Sequence, residues 1–262
     1  MVQAKRLKLE AILKEMGSCS VAVSGGVDSM TLAGVAHKVL GEKATMVHAV
    51  SAAVPTEATL RVRRYAAQEG WKLKEISAGE MSNPEYKSNP VDRCYHCKSC
   101  LYTSIARLEA GVIVSGTNTD DLSDYRPGLV AAKEQSVRHP YVEAEISKAE
   151  LRQIAKELDF DDLADLPASP CLSSRVETGI PIQIVDLEQV EAIEVKVRSQ
   201  IDTENARCRV RPEGLEIQID ESTLSDMSES QQGSLLSSVQ SLSAKNISLS
   251  AYRKGSAFMV QN

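Results

Sequence analysis

Phenylalanine and tryptophan are nearly absent from this chain, with two Phe and one Trp in 262 residues. Hydrophobic residues still make up 42% and charged residues 25%, which excludes disorder and leaves a core built from Leu, Val, Ile and Ala. A cationic excess is also missing. Lys and Arg number 30 against 36 Asp and Glu, a formal charge of -6, which is not the footprint of a nucleic-acid binder. A local basic patch around a phosphorylated small molecule stays open. No apolar run approaches the length of a membrane span, so no membrane partner is expected. The N-terminal "MVQAKRLKLEAILKEM" lacks the long apolar segment of a secretory signal. Its Leu7, Ile12, Leu13 and Met16 instead mark an amphipathic helix. A cytoplasmic, reducing location follows as the expectation, and structural disulfides are not expected there.

What is present alternates. Short apolar strands are predicted at 19–23, 44–50, 71–77 and 111–117, separated by helices at 29–40, 55–69 and 98–109. Strands alternating with helices imply a parallel sheet with right-handed crossovers. A further helix at 147–158 is announced by Ser147 and Glu150 as a capping box. The Pro-rich "DLPASPCLSSR" (165–175) reads as a connection. The expected division is therefore a first domain, 1–176, and a C-terminal domain, 177–262. The second has a helix at 183–199, strands at 207–211 and 214–220, a helix at about 226–240 and a strand at 246–252. It reads as a small α+β domain.

Between the first strand and its helix lies "SGGVDS" (24–29). Glycines let a backbone approach an anion, and free N–H groups at a helix N-terminus face it. The loop lacks the Gly-Lys-Ser/Thr ending of a Walker A motif and is not the dinucleotide G-x-G-x-x-G. A lone Gly-Gly turn has a bland alternative, a tight strand–helix connection. The whole hexapeptide in this context resembles the pyrophosphate loop of the ATP pyrophosphatases, which cleave ATP between the α and β phosphates. That resemblance implies Ser24, Gly25, Gly26 and Ser29 as holders of pyrophosphate and Asp28 as a carboxylate for Mg²⁺. For Asp28 the plainer reading is a helix cap.

A second cluster, "DRCYHCKSC" (92–100), places Cys94, Cys97 and Cys100 three residues apart. Thiolates at C-x-x-C spacing suit an iron–sulfur cluster, a zinc knuckle or a redox dithiol. Spacing alone leaves the third ligand open between Cys100 and the remote Cys171. Cys19 and Cys208 read as small core residues, and His37 and His48 as structural.

Asn118, Asp120, Asp121 and Asp124 follow a strand's C-terminal end, where ligands bind in open α/β sheets; a solvated acidic loop is the alternative. Arg126, in "DYRPG", offers five fixed donors to a phosphate or carboxylate. Arg209 and Arg211 alternate with Val210, so both point to one strand face, where they suit an anion or merely solvate the strand.

"SGGVDS", "RCYHCK" (93–98), "GTNTDDLSDYRPG" (116–128), "SPCLSSR" (169–175) and "RVR" (209–211) occur in the order seen in the LarE family. The resemblance covers nearly the whole chain, with 221–245 the least clear. It implies an α/β fold with a doubly wound parallel sheet of the ATP-pyrophosphatase, Rossmann-like type, and a smaller domain for substrate binding and oligomerisation. LarE proteins are ATP-dependent sulfur transferases of nickel-pincer nucleotide cofactor biosynthesis. The implied substrate is a pyridinium biscarboxylic acid mononucleotide, whose carboxylate is adenylylated before sulfur displaces AMP. In one subtype a cysteine of the "SPCLSSR" region sacrifices its sulfur. In the other, that cysteine and a C-x-x-C pair hold a 4Fe-4S cluster fed by a sulfide donor. The chain has the pair, so the resemblance implies the cluster subtype, with Cys94, Cys97 and Cys171 as ligands and Cys100 outside the set. It implies Asp28 and Cys171 as catalytic. It implies Ser174 and Arg175 at the substrate phosphate, and functional positions at Glu194 and Arg253. A hexamer follows by analogy. Rival readings are a tRNA thiolase with the same loop and a cluster, an amide synthetase with a structural zinc, and a universal-stress-type nucleotide module, which lacks this loop.

Overall fold

The computed structural model describes residues 2–122 and 127–258. The chain divides into two compact units, Met1–Glu80 with Cys94–Ser169 and Met81–Arg93 with Pro170–Asn262. The second division lies a few residues before the boundary expected after 176, and the second unit also takes in the segment 81–93.

The first unit opens with α1 (Val2–Met16), then β1 (Cys19–Ala22), α2 (Val27–Leu40), β2 (Ala44–Ala49), α3 (Thr56–Glu69) and β3 (Lys72–Ile76). In the second unit the inserted segment holds α4 (Pro84–Lys87). The cysteine helix α5 (Arg93–Ala106) follows, then β4 (Val112–Val114), α6 (Pro127–Glu134), α7 (Pro140–Glu143), α8 (Lys148–Glu157) and α9 (Asp161–Ala164). All four strands are parallel, in the order β3-β2-β1-β4. Successive residues of each strand face opposite cores. Val21, Met46 and Val114 join the larger apolar cluster with Leu9, Leu32 and Ile154. Ala22, Val47 and Ile113 join a smaller one with Tyr102, Ile105 and Val137. The sheet is therefore covered on both faces, the doubly wound α/β arrangement expected. The tryptophan and one of the two phenylalanines meet in this core, where Phe160 packs edge-on against Tyr65 at 4.9 Å and lies near Trp71.

One expectation on elements is corrected. The helix expected at 98–109 begins at Arg93, whose N–H bonds Pro90 O at 3.1 Å, so the turn after Pro90 winds directly into α5. Cys94, Cys97 and Cys100 thus all lie on one helix. The helix expected at about 226–240 is present as α12 (Glu229–Gln240), and a short helix that was not expected, α11 (Glu221–Asp226), precedes it. Met227 ends α11 and Ser228 caps α12, its side chain accepting from Gln231 N while the Gln231 side chain returns to its backbone. The Ser147–Glu150 capping box is present on α8.

The second unit adds α10 (Ile184–Gln200), β5 (Ala206–Arg211), β6 (Gly214–Ile219) and β7 (Ile247–Ala251) to α11 and α12. Its sheet runs β5-β6-β7, antiparallel then parallel. No helix among the described residues is long and apolar enough to cross a membrane.

Candidate functional site

In the first unit, β1 lies between β2 and β4, and the chain leaves β1 and β4 for different sides. That is the switch point at which open α/β sheets bind ligands. "SGGVDS" runs from the end of β1 into α2. Gly25 has φ of 82°, and a Cβ there would lie 2.7 Å from Ala58 O, so only glycine fits. Ser24 N donates to Ser29 Oγ at 3.0 Å, and Ser29 Oγ in turn lies 3.2 Å from Gly26 O, which ties the turn across its neck. Gly26 occupies the N-cap position and makes no side-chain cap. The first N–H groups of α2 have no intrahelical partners and point with the positive end of the helix dipole. Asp28 is a first-turn residue rather than the cap.

Around this loop the fold collects Asn118, Asp121 and Lys148. Asn118 Nδ2 donates to Asp28 Oδ1 at 3.2 Å and to Asp121 Oδ2 at 3.1 Å. Lys148 Nζ donates to both oxygens of Asp28, at 2.6 and 2.5 Å. Arg61 Nη1 donates to Gly25 O at 3.0 Å, and Tyr141 OH to Asp28 O at 3.2 Å. A Cβ on Gly116 would come within 2.8 Å of Asp28 C and Ser29 N, so this glycine lets the loop after β4 lie against the loop after β1. Ser24, Gly25, Gly26, Asp28, Ser29, Asn118 and Asp121 are thus brought together as expected from the sequence. Arg126 and Asp124 lie outside the described residues.

Lys148, Arg61 and Gly116 were missed. A signal for Lys148 exists: it is the first residue of α8, where a cation opposes the helix dipole unless an anion faces it. Arg61 carries none, since its Nη2 pair with Glu57 at 2.9 Å resembles any solvated i,i+4 pair.

On α5, Cys94 and Cys97 sit one turn apart, Cys94 exposed and Cys97 half-buried, with Cys100 a further turn along. All six cysteines are thiols. Burial pushes Cys19 up to about 12 and Cys208 higher still, so these two are inert core residues. His48 is structural, its ring nitrogens 2.9 Å from Val23 O and from Thr59 Oγ1. Among the described residues, no three His, Cys, Asp or Glu side chains group so as to hold a metal ion.

In the second unit, Cys171 is exposed and immediately precedes a short 3-10 turn, Leu172–Arg175, whose four residues are buried. Arg175 holds this turn. Its Nη1 donates to Pro170 O at 2.8 Å, to Cys171 O at 3.2 Å and to Ser174 Oγ at 3.0 Å. Its Nε and Nη2 form a bidentate pair with Glu194 at 2.9 and 3.0 Å. Both side chains are 3% exposed. Glu194 also accepts from Cys208 N and Arg198. Burial pushes Glu194 up, but hydrogen bonds and charge from Arg175, with Cys208 N and Arg198, hold it net below the usual carboxylate range. Arg175 and Glu194, expected at the substrate, spend their hydrogen bonds inside the unit. The residues missed here are Tyr86, whose hydroxyl meets Ser173 Oγ at 2.5 Å, and Asn89, which donates to Glu177 O and Ile180 O.

Arg209 is buried without a carboxylate partner in its hydrogen bonds, which go to Gln218 Oε1 at 3.1 Å and Ser174 O at 3.0 Å. Burial and the charge of Arg175 push it down to about 10. Arg211 pairs with Glu177 and Glu216 at 2.8 Å each. It lines a cavity of about 720 Å³ with exposed Arg253 and Lys254.

No family model matches the chain. An uncharacterized protein of Synechocystis sp. is 36% identical over 239 residues, 87% of this chain and 89% of that protein. The pyridinium-3,5-bisthiocarboxylic acid mononucleotide synthase of Lactiplantibacillus plantarum is 29% identical over 227 residues, 85% of this chain and 82% of that enzyme. The chain belongs to the LarE family. An uncharacterized protein of Methanocaldococcus jannaschii extends the similarity, at 29% identity over 206 residues. The Synechocystis and Lactiplantibacillus matches cover 87% and 85% of this chain, more than either unit alone contains.

Proposed function

We propose that this LarE-family chain is an ATP-dependent sulfur transferase that converts a carboxylate of a pyridinium biscarboxylic acid mononucleotide to a thiocarboxylate. The carrying observation is the glycine-enforced loop at the switch point, with Asp28 on the first turn of α2. A substrate carboxylate oxygen attacks the α-phosphorus of ATP, and pyrophosphate leaves. A hydrosulfide then adds to the acyl carbon, and AMP leaves with its bonding pair. The loop N–H groups would hold the departing pyrophosphate. Asp28 and the amide of Asn118 would orient the metal–phosphate end. Asp28 offers a single carboxylate, which fits Mg²⁺, an ion that keeps waters and completes its shell on substrate phosphates. When bound there, Mg²⁺ would supply charge neutralisation.

The reading assigns Cys94, Cys97 and Cys171 as cluster ligands on residue type alone: each is a thiol, two of them exposed and Cys97 half-buried, and thiolates are the donors that a 4Fe-4S cluster takes. When bound, that cluster would supply an open iron for sulfide. The residues around Cys171 do the positioning: Arg175 fixes the carbonyls of Pro170 and Cys171, and Tyr86 fixes Ser173. Arg209, a cation with only neutral hydrogen-bond partners, and Arg211 and Arg253 at the cavity are the candidates for the substrate phosphate. Ser174 acts through Arg175. Arg126 belongs to the same anion-binding reading.

The test is product analysis. ATP, Mg²⁺, substrate and sulfide under anaerobic conditions should give AMP and pyrophosphate in step with thiocarboxylate. ADP and phosphate would refute the reading. Iron and sulfide analysis of the wild type beside Cys94→Ala, Cys97→Ala, Cys171→Ala and Cys100→Ala tests the cluster. The first three should lose iron and Cys100→Ala should keep it. Dehydroalanine at 171 after turnover would assign the sulfur to Cys171 itself. Stimulation of AMP release by tRNA, or zinc in place of iron, would favour the rival enzymes.

A further inference from the structure

Lys148 is placed where a cation has little reason to be. It is the first residue of α8, and its ammonium reaches the first turn of α2. Both helix ends carry positive partial charge. Its backbone N–H donates to Asp120 Oδ2 at 3.2 Å, whereas its ammonium serves Asp28: Nζ donates to Oδ1 and Oδ2, at 2.6 and 2.5 Å. The pair is about one-third exposed on each side, so it can rearrange without unfolding the unit. Asp28 is also the carboxylate of the nucleotide reading. An ammonium that covers both of its oxygens leaves neither fully available to a divalent cation.

We infer that Lys148 is an exchangeable counter-ion. It neutralises Asp28 when no nucleotide is bound, and it transfers to the departing pyrophosphate when Asp28 turns to a divalent cation. The inference deepens the proposed nucleotide reading and rests on it. The exchange conserves charge, because the ammonium gives up one anion and gains another. It also predicts two effects of opposite sign. Removing the ammonium should free Asp28 for a metal and should deprive the pyrophosphate of a donor. A purely structural lysine would not move them apart.

The test uses the full chain and the variants Lys148→Met and Lys148→Arg, with thermal melts to check folding. Mn²⁺ alone, followed by its paramagnetic resonance signal, probes Asp28 without nucleotide. Inorganic pyrophosphate, titrated calorimetrically with Mg²⁺ present, probes the phosphate end. Lys148→Met should bind Mn²⁺ several-fold more tightly and pyrophosphate about tenfold more weakly, the loss of one charge-assisted hydrogen bond. Lys148→Arg should recover most of the pyrophosphate affinity. Unchanged affinities in Lys148→Met, or weakening of both ligands together, would overturn the exchange. If the wild type forms AMP yet Lys148→Met binds pyrophosphate normally, this inference alone falls. If the wild type forms ADP instead, the nucleotide reading fails and the inference fails with it.

Discussion

The loop at 24–29 and the turn at 170–175 are both tight connections, yet they are held in opposite ways. The first depends on a missing side chain. Gly25 at φ of 82° has Ala58 O against it, and the neck is closed by serines within the same six residues. Its helix N–H groups stay unspent, as an anion site requires. The second depends on packed side chains. Arg175 takes the carbonyls of Pro170 and Cys171, Glu194 anchors Arg175, and Tyr86 holds Ser173. One turn offers donors outward; the other consumes its own acceptors and leaves Cys171 exposed.

Breaking the second turn should have the larger effect on stability. Glu194→Ala strands the buried Arg175 guanidinium and is expected to cost about 3–5 kcal/mol. Chemical denaturation that resolves the second unit would read this. Gly25→Ala, by contrast, should cost about 3 kcal/mol through backbone strain and the clash with Ala58. It should also abolish ATP binding, while iron binding survives. Loss of both functions in either variant would erase the distinction between the two turns.

The same contrast explains what was legible. The phosphate loop is local, so its hexapeptide, the flanking strand and the helix onset all appear in consecutive residues. The alternation of strands and helices and the Ser147–Glu150 cap are legible for the same reason, whereas the strand order is not local and is seen only in the structure. The clamp on the Cys171 turn is assembled from residues 86, 89, 175 and 194, and no short window contains it. Prolines 167 and 170 drew attention to the turn, but the hydrogen bonds that fix it come from Arg175. The cysteine run was read as a loop up to 98 because the apolar period that signals a helix is absent there, although the backbone winds from Arg93.

A smaller effect sharpens the comparison through pH. Because Glu194 has its carboxyl held below the usual range in the fold, its contribution is fully present above the unfolded-state value of about 4.3. That contribution is lost as pH falls through the lower folded value. Acid titration of stability should therefore destabilise the wild type below about pH 4 more than Glu194→Gln, which has no proton to gain. Parallel acid profiles for the two would remove Glu194 from the clamp. Smallest of all, Tyr86→Phe should cost about 1 kcal/mol by deleting the hydroxyl contact with Ser173. Alkylation of Cys171 should then change in rate while Cys94 and Cys97 keep theirs, and a uniform change across the three thiols would contradict a local clamp.

The claim at the centre is that the glycine-held loop directs cleavage between the α and β phosphates. Single-turnover product analysis with ATP labelled at the α-phosphate, in wild type and Asp28→Ala, tests it most directly. Labelled AMP should form in the wild type in proportion to thiocarboxylate and fall by orders of magnitude in a folded Asp28→Ala. Labelled ADP from the wild type, or undiminished AMP from Asp28→Ala, would contradict it.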